Sequence, residues 1–105
     1  MARRLALIVS TPGDSGDLER AGELALAATR AGIDVELFFM SDAVGTLPAR
    51  QDLMTRLRSA GCELIACASS ATDRGLSGDA LDMLLGSQDD HAAIVHRADR
   101  VVAFT

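Results

Sequence analysis

Two cysteines and two histidines are the side chains of this sequence best suited to nucleophilic, redox or metal chemistry. Of the four, Cys67 has the most favourable setting. It sits in the apolar run Leu64-Ile65-Ala66-Cys67-Ala68 and is followed by Ser69, Ser70, Arg74 and Gly75. A thiol at the end of such a strand faces the dipoles of nearby helix starts and the Arg74 guanidinium. Both favour the thiolate and pull a thiol below its ordinary value of about 8.5. The thiolate is the form that attacks a sulfane sulfur or a disulfide. Residue chemistry alone still favours the plainer role for Cys67, a small buried hydrophobe. Cys62 lies at the opposite end of the same run and is expected to be structural. On a strand the spacing of five puts the two sulfurs on opposite faces about 16 Å apart, too far to bridge.

The other candidates are weaker. His91 and His96 are five residues apart, which on a helix turns them roughly 140° from each other. Metal-binding pairs favour a spacing of four on one face, so no metal is expected. His91 remains a candidate helix cap or polar neighbour of the site. The segment Ser10-Thr11-Pro12-Gly13-Asp14-Ser15-Gly16 leads into a helix start, where the Thr11 hydroxyl and the amides near Gly13 could cradle an anion. It is not a P-loop, because that motif needs a lysine and the chain has none. The plainer reading is a tight, capped turn. GxSxG is absent, and no acidic cluster of the receiver-domain kind follows the first strand.

These residues must be positioned by a small set of elements. Leu5–Val9, Asp34–Phe39, Leu64–Ala68 and Val101–Phe104 are short, largely apolar runs without alternation, as strands covered on both faces are. Helical stripes separate them. Leu18, Ala21, Ala25 and Ala28 form the first, capped by Ser15 or Asp17 and stopped by Gly32. Leu53, Leu57 and Ala60 form the second, before Gly61. Ala92, Ala93, Val95 and Ala98 form the third, preceded by Asp89 and Asp90. Strand-helix alternation of this kind predicts right-handed βαβ crossovers and a parallel sheet. Leu81–Leu85 fits either a short strand or a helical turn. In an open parallel sheet, ligands bind beyond the carboxyl ends of the strands, so the segments 10–16, 40–47 and 68–75 are the candidate site loops.

Composition narrows the function classes. The chain has 105 residues, room for a single domain spanning 1–105. Aromatic residues make up only 3 %, so the core must be aliphatic. The net charge is −5 and the arginines are scattered. Nucleic-acid binders need clustered positive charge, and no such partner is expected. No run approaches the roughly 20 apolar residues of a membrane span. Met1-Ala2-Arg3-Arg4 resembles a signal-peptide start, but the apolar run behind it is too short and predicts a first strand instead. Two unpaired cysteines fit a reducing, cytoplasmic setting.

Taken together, the Leu5–Val9 strand with its Pro-Gly loop, the stretch Gly32 to Phe39, Cys67 with Arg74-Gly75-Leu76, and the ending Ala98-Asp99-Arg100-Val101-Val102-Ala103-Phe104 resemble the DsrE/DsrF-like family, which includes TusD-type sulfur-relay and YchN-like small proteins. The resemblance implies a three-layer α/β/α fold with a mainly parallel five-stranded sheet, with 81–85 as the fourth strand. It implies trimers or hexamers and a cysteine matching Cys67 that accepts a persulfide from a donor protein and passes it to an acceptor; no cofactor is expected. On that expectation Arg74 stabilises the Cys67 anion, and Ser69, Ser70, Gly75, Gly13 and Thr11 shape the pocket. The alternatives are a non-catalytic oligomeric module that binds a small anion or nucleotide, and a purely structural subunit.

Overall fold

Each apolar run becomes a strand because its side chains are covered from both sides. In the computed structural model, which describes residues 3–105, the strands are β1 (Arg4–Val9), β2 (Asp34–Phe39), β3 (Glu63–Cys67), β4 (Leu84–Gly86) and β5 (Arg100–Phe104). Met1 and Ala2, the head of the signal-like start, lie outside the described residues. The strands form one sheet in the order β4-β3-β2-β1-β5, and every neighbouring pair is parallel. The helices are α1 (Asp17–Arg30), α2 (Asp42–Thr46), α3 (Gln51–Ser59), α4 (Ala68–Asp73), α5 (Gly78–Leu81) and α6 (Gln88–Arg97). Among the described residues no helix is long and apolar enough to cross a membrane.

Two helices stop where their glycines predict. Gly32 and Gly61 take φ of 82° and 95°, the left-handed conformation that glycine adopts without a Cβ penalty. At the start of α1, Gly16 occupies the cap position, and Ser15 Oγ accepts from the Asp17 N–H at 3.1 Å.

The layers on the two faces of the sheet are unequal. One face carries the larger core, in which Leu7, Leu37, Phe39, Leu53 and Leu57 pack with Ala71 of α4 and Leu81 of α5. The other face carries Ala6, Ile8, Phe38 and Cys67, covered by Ile94 of α6. Cys62 belongs to the first core and Cys67 to the second, so the spacing of five separates them as expected; both are free thiols. On the α6 face Glu36 is 4 % exposed. It accepts from Arg97 Nε at 2.8 Å and from a second Arg97 nitrogen, and lies 3.5 Å from Arg4.

Three sequence expectations need correction. Leu81–Leu85 is neither all strand nor all helix. Leu81 ends α5, Asp82 turns the chain at φ 50°, and the fourth strand begins only at Leu84. The third helix starts at Gln88 rather than after Asp90, because Ser87 and Asp90 form a reciprocal capping box. The loop expected over 68–75 is mostly the helix α4.

Candidate functional site

The connections on either side of Cys67 run to opposite faces of the sheet. After β3 the chain turns to α4 on the larger-core face, and after β4 it turns to α6 on the opposite face. The point where the strand order reverses, the topological switch point of an open α/β sheet, is the β1–β5 boundary rather than this one. β3 and β4 nonetheless end side by side at the carboxyl edge of the sheet. Their terminal pair is Cys67 and Gly86, directly in register. Gly86 is small for a reason: a Cβ there would meet Asp90 Oδ2 and Ile65 Cγ2 at 2.8 Å.

Cys67 sits on the border between aliphatic packing and a polar rim. The residue is 5 % exposed and is the cap residue of α4. Burial alone raises its thiol above the ordinary range. That effect is outweighed by the Ser70 hydroxyl, the Ser70 and Ser69 amides and the Gln88 side-chain amide, so the thiol lies below its usual value. The neutral thiol takes no full capping bond from the helix amides; these donors are placed for the anion. Cys62 has no such company, and burial pushes its thiol up.

The Ser70 hydroxyl is oriented by a second strand end. Its oxygen accepts from the Ser41 N–H at 2.8 Å, which leaves its proton available toward the sulfur. Ser41 follows β2 with φ 53° and ψ −134°, an uncommon backbone for a residue with a Cβ.

Of the residues proposed from sequence, Ser69 and Ser70 do surround the sulfur. Arg74 does not. Its guanidinium donates to the Ser70 carbonyl and to Asp42 Oδ1, each at 3.0 Å. The reason is α4 itself, which carries Arg74 roughly 10 Å along its axis from Cys67 at 1.5 Å per residue. Arg74 instead ties α4 to α2. Gly75 stops α4 at φ 68°, and its N–H donates to the Thr72 carbonyl, so its amide is turned into the chain. Thr11 donates to Asp17 at 2.8 Å and accepts from Ser15, a self-contained turn. Gly13 is a close-approach position against Thr46 of α2. The first loop thus meets the second, and the second meets the third, but only the third reaches the sulfur.

Gln88 is the site residue that sequence reasoning missed. It opens α6, and its Nε2 donates to Cys67 Sγ at 3.7 Å. Its Oε1 lies 2.9 Å from His91 Nδ1. The His91 ring stacks on Phe38, centroids 5.0 Å apart and 14° from parallel. His91 is therefore the polar neighbour its position allowed, one residue removed from the sulfur. Among the described residues no group of three or more His, Cys, Asp or Glu could hold a metal ion. Two hollows lie away from Cys67, one beside Gly78–Leu85 and one at the amino edge beside Arg4, Asp34 and Glu63.

The model of the DsrE/DsrF-like family matches residues 3–104. No curated protein matches the chain. Among solved structures, the YchN protein from Escherichia coli superposes with a TM-score of 0.82 at 25 % identity, covering 99 % of this chain and all of that one. A conserved protein of unknown function from Bacteroides thetaiotaomicron superposes with a TM-score of 0.80 at 11 % identity, covering 96 % and 94 %; at that identity the likeness concerns the fold.

Proposed function

This chain belongs to the DsrE/DsrF-like family, and from that premise we propose that it handles sulfur as a persulfide carrier, with Cys67 as the accepting residue. The observation that carries the reading is the placement of Cys67 at the carboxyl end of β3, beside Gly86 of β4 and among donors that favour its anion. The Cys67 thiolate attacks the outer sulfur of a donor persulfide, R–S–SH. The donor's S–S bond breaks as the new one forms, giving Cys67–S–SH and R–S⁻ with no net oxidation. Release to an acceptor thiolate is the same exchange run onward. Donor and acceptor are other proteins in this reading, the compartment is the cytoplasm, and the chain acts as a trimer or hexamer. Val101 and Val102, 42 % and 37 % exposed on the outer strand β5, support assembly.

Anion or nucleotide binding in the first loop has less support, because the Thr11 and Ser15 side chains already bond within the turn. Incubation with a persulfide donor followed by intact mass spectrometry tests sulfur uptake. The wild type and Cys62→Ser should each gain the mass of one sulfur atom, and Cys67→Ser should gain none. No gain in the wild type, or an undiminished gain in Cys67→Ser, overturns the proposal.

A further inference from the structure

The Gln88 side chain poses a question that packing cannot answer. A carboxamide has two ends of nearly equal shape and opposite polarity, so only a hydrogen-bond partner decides which end points where. With the NH2 end toward Cys67, a thiolate or persulfide anion is solvated. With the carbonyl toward it, two negative ends face each other. Gln88 is exposed at the first position of α6, where little else holds its side chain.

The partner on the page is His91, one helical turn further on. Its Nδ1 lies 2.9 Å from Gln88 Oε1, and its ring is held by stacking on Phe38, which is fully buried and shares a core with Cys67. An Nδ1–H can be met only by the carbonyl end of the amide, which turns the NH2 end to the sulfur 3.7 Å away. We propose that His91 is a positioning residue for Cys67 that acts through Gln88, its Nδ1–H fixing the amide so that the donor end faces the sulfur. The inference rests on the reading of Cys67 as the sulfur-bearing residue.

Asp90 and Arg74, two charged groups close to this end of the sheet, have other partners. The Asp90 carboxylate accepts from the Ser87 N–H at 2.7 Å. Arg74, just past the end of α4, is held by Asp42 and the Ser70 carbonyl. His91→Phe keeps an aromatic ring to stack on Phe38, though a larger one, and removes both ring nitrogens.

The test is the pH dependence of Cys67 alkylation by iodoacetamide, measured in a Cys62→Ser background. It compares the parent with Gln88→Ala, His91→Phe and the double variant, with His91→Ala replacing His91→Phe should the latter not fold. Each single change should move the midpoint of the profile upward and slow alkylation at neutral pH. The double variant should move it no further than Gln88→Ala alone, because the histidine has nothing left to orient. An unmoved midpoint in the His91 variant overturns the proposal. So do additive shifts, which would mean that the imidazole acts on the sulfur directly. Alkylation needs no sulfur donor, so this result stands apart from sulfur uptake. A chain that takes up no sulfur but shows the non-additive cycle loses only the carrier reading, and the converse pattern loses only the role of His91.

Discussion

The Ser41 N–H donates to Ser70 Oγ across 2.8 Å, tying the end of β2 to the helix that begins at Cys67. The bond makes Ser70 a directed donor rather than a freely rotating hydroxyl. Ser70→Ala should therefore shift the alkylation profile of Cys67 to higher pH. It should also lower stability by about 1 kcal/mol, the ordinary worth of one hydrogen bond. Iodoacetamide kinetics and urea unfolding read the two effects separately. A profile that stays in place removes Ser70 from the site.

Backbone strain at Ser41 gives a second expectation. A side-chain-bearing residue at φ 53° and ψ −134° carries a penalty of order 1–3 kcal/mol. Glycine relieves it, although its larger unfolded-state entropy offsets part of the gain. Ser41→Gly should raise the urea midpoint while leaving the alkylation profile of Cys67 unchanged, because the donating N–H is retained. A lowered midpoint argues that the Ser41 side chain contributes more than the strain removes.

The two thiols should separate by reactivity, although both are buried. Burial raises Cys62 unopposed, whereas hydrogen-bond donors hold Cys67 down. With limiting iodoacetamide at neutral pH, peptide mapping should find the label on Cys67 first. Preferential labelling of Cys62 would remove the electrostatic basis of the site.

Glu36 should make stability pH-dependent. Hydrogen bonding from Arg97 is the main cause that sets its carboxyl below the usual glutamate range, against the opposing effect of burial. A folded-state value below the unfolded one contributes stability that is fully present above the unfolded value. It is lost as pH falls through the folded value. Glu36→Gln should cost about 1–3 kcal/mol at neutral pH, and the difference from wild type should shrink below about pH 4. Urea unfolding across pH measures it, and a constant difference contradicts the assignment.

Gly13 and Thr46 should behave as a coupled pair. A Cβ on Gly13 would come within 2.5 Å of Thr46 Cγ2. Gly13→Ala should destabilise by about 1–3 kcal/mol through overpacking. Thr46→Ser deletes that methyl and keeps a hydroxyl able to donate to the Ala43 carbonyl, so it should suppress much of the loss. Additive urea midpoints would show that the two loops do not press on one another.

Strand positions were legible because apolar runs bounded by glycine and proline have few other uses, and Gly32 and Gly61 end helices as read. Cys67 was legible for the same reason: a strand end fixes which edge of the sheet a residue occupies. Gln88 was not, since it lies 21 residues further along the chain and is a polar residue without a motif. Its only signal is Ser87-x-x-Asp90, a capping box that starts a helix at position 88 and so brings that residue to the strand ends. Arg74 is not legible in the sequence, because a segment rich in Ser, Thr and Asp reads as a loop. Ala68 to Asp73 instead coils into a helix and carries the guanidinium off.

The strand paired beside Cys67 is the shortest of the sheet, three residues against five in β3, and it lies at the outer edge. So brief a ladder is the cheapest part of the sheet to fray, and local openings of this kind precede global unfolding. Amide exchange in β4 should therefore outpace that of β1 to β3. A sulfur almost closed to solvent on average would then meet its reactants during these transient detachments, on a clock set by Leu84 to Gly86 rather than by any hinged cover.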